Sequence, residues 1–135
     1  MERKIVIVED DGFSQKFYSY LLKREKYIPI ILEDGELLLN TLENENVSLI
    51  IMDINLKNTY FKGEKVDGVF LSKLIKGNER YSKLPILLVT AYSMYADGPK
   101  FFVDSLADDY ITKPILDYKD LLKKIKNLIQ EHGKK

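Results

Sequence analysis

Short apolar runs alternate along this chain with residues at helical spacing. Lys4-Ile5-Val6-Ile7-Val8, Leu49-Ile50-Ile51-Met52 and Pro85-Ile86-Leu87-Leu88-Val89 have the length and branching of buried strands. Tyr27 to Leu32 reads as another strand, with Pro29 suggesting a sheet edge, and Asp109 to Thr112 as a fifth. Between them, Phe13, Phe17 and Leu21, with Tyr20 alongside, predict a first helix. Leu38 and Leu42 after Gly35 predict a short second one, and Leu71, Leu74 and Ile75 a third that stops near Gly77. A weak helix is expected over Asp97 to Ser105. Leu121, Leu122, Ile125, Leu128 and Ile129 give the last helix a broad apolar stripe. Strand–helix alternation with short connections predicts an α/β fold, a doubly wound five-stranded parallel sheet of order 2-1-3-4-5 with helices on both faces. The stretch from Asn55 to Val66 is expected to be a long irregular polar loop.

The chain has 135 residues, which suits one domain with a real core. Residues 1–135 are therefore expected to form a single domain, core about 3–132, with no room for an effector domain. Lys plus Arg and Asp plus Glu both number 21, so no net field favours nucleic acid or an anionic membrane. The basic tail from Lys123 to Lys135 reads as a solvated helix face. The chain has no cysteine and no membrane-length apolar run, and a cytoplasmic setting without a secretory leader is expected.

The polar residues at the strand ends carry the candidate chemistry. The first strand runs into Glu9-Asp10-Asp11, the third into Asp53, the fourth into Thr90 and the fifth into Lys113-Pro114. Open α/β sheets place their chemistry at these carboxyl ends. Each residue alone has an ordinary explanation: acids cap helices, Asp53 ends a strand, Thr90 is β-branched, Lys113 is a surface lysine and Tyr110 a core aromatic. Four strand ends carrying complementary groups make that explanation improbable. Clustered carboxylates repel, and Mg²⁺ relieves the strain while leaving positions for phosphate oxygens. Thr90 and Lys113 would then complete a clamp for a phosphoryl group, with Asp53 as nucleophile. Two of Glu9, Asp10 and Asp11 face the metal. Because the strand should end at Val8, Glu9 and Asp10 are preferred.

Ile5-Val6-Ile7-Val8-Glu9-Asp10-Asp11, Leu49-Ile50-Ile51-Met52-Asp53, Leu88-Val89-Thr90-Ala91 and Ala107-Asp108-Asp109-Tyr110-Ile111-Thr112-Lys113-Pro114 resemble, in order and across nearly the whole chain, the motifs of response-regulator receiver domains. The resemblance implies a flavodoxin-like fold and a phosphorelay signalling domain, not a general enzyme, that catalyses only its own Asp53 phosphorylation and dephosphorylation. It implies Mg²⁺ held by Asp10, Asp53 and the backbone carbonyl of Asn55, with Glu9 acting through water. It also implies a sensor histidine kinase or histidine phosphotransfer protein as donor, phosphoryl contacts from Thr90 and Lys113, and a switch in which Thr90 shifts and Tyr110 turns inward. The readout would be a target protein on the face of helix 4, strand 5 and helix 5, with no direct role for nucleic acid or membrane. Lys113–Pro114 is expected to be cis.

The chain departs from the family pattern in three places. Lys57 occupies a position where the family often has proline, the loop before Asp67-Gly68 is long, and Ser105-Leu106 replaces a common Ala-Gly. Lys57 and its loop border phosphoryl access, as does Tyr92, whose ring is a candidate shield against hydrolytic water. A nucleotide or flavin binder is disfavoured by the acids after strand 1 and the lack of a glycine-rich phosphate loop. An aspartyl phosphatase lacks an evident acid/base group, since the single histidine, His132, lies in the tail. A receiver that has lost phosphorylation is disfavoured by Asp53, Thr90 and Lys113 together. Output through a target protein or through relay to a second histidine protein both fit.

Overall fold

The computed structural model describes residues 3–91 and 98–133. Five strands form one parallel sheet: β1 (Arg3–Val8), β2 (Tyr27–Leu32), β3 (Val47–Asp53), β6 (Ile86–Thr90) and β7 (Asp109–Thr112). Two more, β4 (Tyr60–Phe61) and β5 (Glu64–Lys65), pair antiparallel in a separate hairpin. The sheet order is β2-β1-β3-β6-β7, which is the expected doubly wound pattern once the hairpin is set aside. The helices are α1 (Gly12–Arg24), α2 (Leu38–Asn44), α3 (Gly68–Lys76), α4 (Gly98–Ser105) and α5 (Tyr118–Gly133), with a 3₁₀ turn at Gly35–Leu37 before α2. Among the described residues no helix is long and apolar enough to cross a membrane.

Strand alternation builds two cores. Ile5, Ile7, Leu49, Ile51, Leu87 and Val89 pack with Tyr18, Leu21 and Leu22 of α1 and with Leu121 and Ile125 of α5. Val6, Val8, Ile50, Met52, Ile86 and Leu88 pack on the other face with Leu38 and Leu42 of α2 and Leu71 and Ile75 of α3. Strands buried on both faces must be apolar at every position, which is why these runs do not alternate in sequence. Each such side chain contributes about 1.5–3 kcal/mol on full burial. The register levels the strands' carboxyl ends: Val8 pairs with Met52, Asp53 with Val89 and Thr90 with Thr112.

Two expectations need correction. The buried face of α1 carries Tyr18, Leu21 and Leu22, while Phe13 and Tyr20 are exposed. Leu21 and Leu22 with Tyr18 follow the 3- and 4-residue spacing that faces the sheet, and Phe13, at the open first turn, lies beyond the strand ends. The stretch after Asp53 is also no irregular loop. Tyr60 pairs with Lys65 and Phe61 with Glu64 around Lys62 and Gly63, whose φ values are 52° and 83°. Two successive positive φ angles are what a two-residue turn needs to match strand twist, and glycine supplies one without strain. The predicted start of α4 at Asp97 lies outside the described residues.

One contact fixes the loop end of β3. Asp67 caps α3, its side chain accepting from the Phe70 amide at 2.9 Å, and Gly68 follows directly against β3. A Cβ at Gly68 would overlap the Asp53 carbonyl, so only glycine lets α3 start this close to Asp53. Gly68→Ala is expected to lower stability by about 3 kcal/mol, because a backbone atom has to give way. Urea unfolding checks this, and an unchanged midpoint would contradict the close approach.

Candidate functional site

At the carboxyl edge of the sheet, two buried carboxylates share one ammonium. Asp53 is 3% exposed at the end of β3, and Glu9, just past β1, is 1% exposed. Lys113, after β7, places its Nζ 2.9 Å from Asp53 Oδ2 and 3.3 Å from Glu9 Oε1. The backbone sets this up. The Lys113 amide donates to the Thr90 carbonyl at 2.8 Å, and the Ile54 amide to the Val89 carbonyl at 3.1 Å, so the strand ends are stitched beyond the regular ladder. The Lys113–Pro114 peptide bond is cis.

The charges are unbalanced, and the protonation of Glu9 reflects it. Burial, then the hydrogen bond and charge of Asp53, raise the Glu9 pKa from 4.5 to about 7, against smaller opposing effects of the Asp11 amide and Lys113. Burial pulls the Lys113 ammonium down, but its hydrogen bond to Asp53 and the charges of Asp53 and Glu9 outweigh this and raise its pKa. Lys113 thus stays charged and Asp53 keeps a cation at its carboxylate. The same negative charge reaches Tyr18 in α1, whose phenol is pushed up first by its burial and then by Glu9 and Asp53.

The other candidates surround this pair. Thr90 ends β6 and is buried, one residue beyond the partner of Asp53. The Asn55 amide donates to Asp53 Oδ1 at 3.0 Å, fixing the carboxylate's other oxygen. Asp11 turns away to cap α1, its side chain accepting from the amide of Ser14 at 3.0 Å and from its hydroxyl at 2.8 Å. Asp10 lies on the rim, and its Oδ2 accepts from the backbone amides of Lys57 at 2.6 Å and Asn58 at 3.2 Å. Tyr110 is half-buried against Phe102, with ring centroids 5.3 Å apart, and Lys124 Nζ stands 5.8 Å above its ring. The Lys57 side chain is exposed, and Tyr92 lies outside the described residues.

The donor set is all oxygen, and its excess negative charge suits a hard divalent cation. Among the described residues, however, no three acidic or imidazole side chains are gathered closely enough to hold a metal as they stand. Glu9 and Asp53 face each other across Lys113, whereas Asp10 is engaged with the segment after β3.

Four residues contribute in ways the sequence does not signal. Tyr18 was hidden by the more obvious Phe13 and Phe17. The Lys57 and Asn58 amides carry no side-chain signal at all. Gly68 marks the end of the long loop in the sequence, but its contact with Asp53 is tertiary. Beside Lys113, an open cavity of about 500 Å³ runs between α1 and the segment after β7, walled by Phe13, Phe17, Tyr18, Ala91, Pro114 and Ile115.

Residues 5–126 match the family described as the response regulator receiver domain. The chain is 33% identical over 129 residues to the TorCAD operon transcriptional regulatory protein TorR of Escherichia coli K12, covering 96% of this chain and 51% of that protein. It is 29% identical over 115 residues to the polar-differentiation response regulator DivK of Brucella ovis, covering 85% of this chain and 87% of that one. The chain spans about half the length of several curated relatives it matches. Its fold is shared with a CheY-like response regulator receiver domain protein from Methanospirillum hungatei JF-1, at TM-score 0.80, 28% identity and coverage of 99% and 98% of the two chains. The receiver domain of the sensor histidine kinase PA1611 from Pseudomonas aeruginosa PAO1 has TM-score 0.80 at 22% identity, over 96% of this chain and 99% of that one. That domain is described with a magnesium ion coordinated in its active-site cleft.

The raised Glu9 pKa gives a test in metal-free protein. A carboxyl raised on folding is protonated more readily in the native state, so its contribution is complete below about pH 4.5 and is lost as pH rises towards about 7. Glu9→Gln, which imitates the protonated form, is expected to gain stability relative to wild type as pH rises through that window. Parallel denaturation at several pH values checks this, and a constant difference would contradict the buried carboxyl pair.

Proposed function

The chain belongs to the response-regulator receiver-domain family, and on that premise we propose that it accepts a phosphoryl group on Asp53 from a phosphohistidine protein. The observation that carries this reading is the Lys113 ammonium 2.9 Å from the buried Asp53 carboxylate. The ammonium orients the carboxylate that would attack and stands where charge would build on the incoming group. Asp53 attacks phosphorus through one carboxylate oxygen. The new O–P bond forms as the P–N bond to the donor imidazole breaks, and the imidazole leaves with the electron pair of that bond. Lys113 is in reach of the oxygens on the incoming group, and the Thr90 hydroxyl, at the end of the adjacent strand, is assigned to the same role. Asp10, Asp53 and the Asn55 carbonyl, with Glu9 through water, would hold Mg²⁺, which would supply positive charge to offset phosphoryl repulsion. Burial of Glu9 and Asp53 strengthens each of these interactions by limiting water.

The donor would approach along the cavity between α1 and Pro114–Ile115, which opens beside Lys113 and is walled by aromatic rings. A sensor histidine kinase or a histidine phosphotransfer protein supplies the phosphohistidine in this reading, in the cytoplasm. The domain catalyses only its own phosphorylation and dephosphorylation. The signal leaves through α4, β7 and α5, where Tyr110 packs on Phe102 with Lys124 over its ring and where Val103, Leu106 and Leu116 are exposed. Thr90 and Tyr110 are the switch residues assigned to that change, which reaches a target protein or a relay acceptor.

Incubation with a small-molecule phosphodonor and Mg²⁺ is expected to add one phosphoryl group by intact mass. Asp53→Asn and excess chelator should each abolish the addition, and undiminished labelling of the variant would refute the assignment. Phe13→Ala is expected to slow transfer from a protein donor about tenfold while leaving small-donor labelling unchanged. Equal slowing of both would show that Phe13 serves the site itself and not donor contact.

A further inference from the structure

The segment after β3 is a folded insertion tied to one carboxylate of the site. Leu56 and Thr59 are buried, and the Thr59 hydroxyl donates to the Glu33 carbonyl at 3.1 Å. The Tyr60 amide donates to Asp34 Oδ1 at 3.1 Å, and the Gly63 amide to Glu36 Oε1 at 3.4 Å. Phe61 packs on Phe70 of α3 with ring centroids 5.9 Å apart. These contacts hold the hairpin on the link between β2 and α2 and on α3. Its attachment to the acidic site runs through Asp10 Oδ2, which takes two amide donors, from Lys57 and Asn58. Hydrogen bonds to an ionised acceptor are the strong kind.

Asp10 correspondingly stands apart from the charge cluster. Lys113 pairs with Glu9 and Asp53. Among the described residues no three acids stand close enough to hold a metal. As a phosphoacceptor site, the same edge needs Asp10 as a metal ligand. Asp10 therefore has two claimants, and the Lys57 amide exists only because position 57 is not proline, which has no N–H to donate.

We propose that the hairpin and a divalent cation compete for the Asp10 carboxylate: the Lys57 and Asn58 amides hold it in the metal-free protein, and cation binding draws it towards Asp53 and loosens the hairpin. Lys57 and Asn58 are thus positioning residues that act through Asp10. Because the two equilibria are linked, the effect is reciprocal: whatever frees the hairpin favours the cation, and the cation frees the hairpin. The inference rests on the proposed Mg²⁺ role of Asp10 and Asp53.

The test is a Mg²⁺ titration followed by amide NMR on metal-free wild type, Lys57→Pro and Thr59→Val, with amide hydrogen exchange across residues 56–66. Lys57→Pro removes the shorter donor to Asp10. Thr59→Val removes the Glu33 anchor and leaves both amides in place. Lys57→Pro is expected to bind Mg²⁺ roughly fivefold to tenfold more tightly than wild type, and Thr59→Val more tightly by a smaller factor. In wild type, saturating Mg²⁺ should speed exchange at Asn58 and Tyr60. Equal or weaker Mg²⁺ binding by both variants, or slower hairpin exchange with Mg²⁺, would overturn the competition while leaving the phosphoryl-acceptor reading intact. Failure of wild type to bind Mg²⁺ at all would overturn both.

Discussion

One ammonium between two buried carboxylates is the constraint on which this molecule's edge depends. Lys113 reaches Asp53 and Glu9 from a different strand than either, so the pairing exists only when β1, β3 and β7 are level. Burying charge is unfavourable unless it is paired, and stripping one partner from such a cluster costs on the order of 3–5 kcal/mol. The apolar sheet offsets that cost. Its strands bury their side chains on both faces, and the surplus holds together an acidic edge that would otherwise fly apart or fill with protons. Glu9 is where the balance fails, with a pKa lifted to about 7. The site is therefore short of positive charge, and a cation or a proton can supply it.

Much of this was legible in the chain. Continuous apolar runs such as Ile5 to Val8 and Leu49 to Met52 identify strands buried on two faces, and right-handed crossovers reduce their order to few choices. Chemistry at strand ends is legible for the same reason, since a carboxylate or hydroxyl that breaks an apolar run marks the carboxyl edge of the sheet. Asp11 illustrates the boundary of that logic. It is as acidic as its neighbours, but the helix that begins at Gly12 claims it as a cap.

The less legible features share a physical cause. Phe13 and Phe17 are as apolar as Tyr18, and only the angle at which α1 lies on the sheet decides which ring is buried. The hairpin at Tyr60 to Lys65 has strands of two residues, too short for an alternating pattern, and its turn signal is the single Gly63. Its hold on Asp10 runs through backbone amides, which every residue but proline possesses. Sequence reading finds side-chain chemistry well and backbone chemistry poorly. Here the second governs how an acid of the first is presented, since the segment that borders Asp53 also occupies Asp10.

The central claim is that Asp53, alone among the clustered acids, is the group phosphorylated. Protein treated with a small phosphodonor and Mg²⁺, reduced with borohydride to trap acyl phosphates, and mapped by peptide mass spectrometry addresses it directly. The account predicts modification at Asp53 alone. Modification at Glu9, Asp10 or Asp11 instead, with Asp53 unaltered, would contradict it.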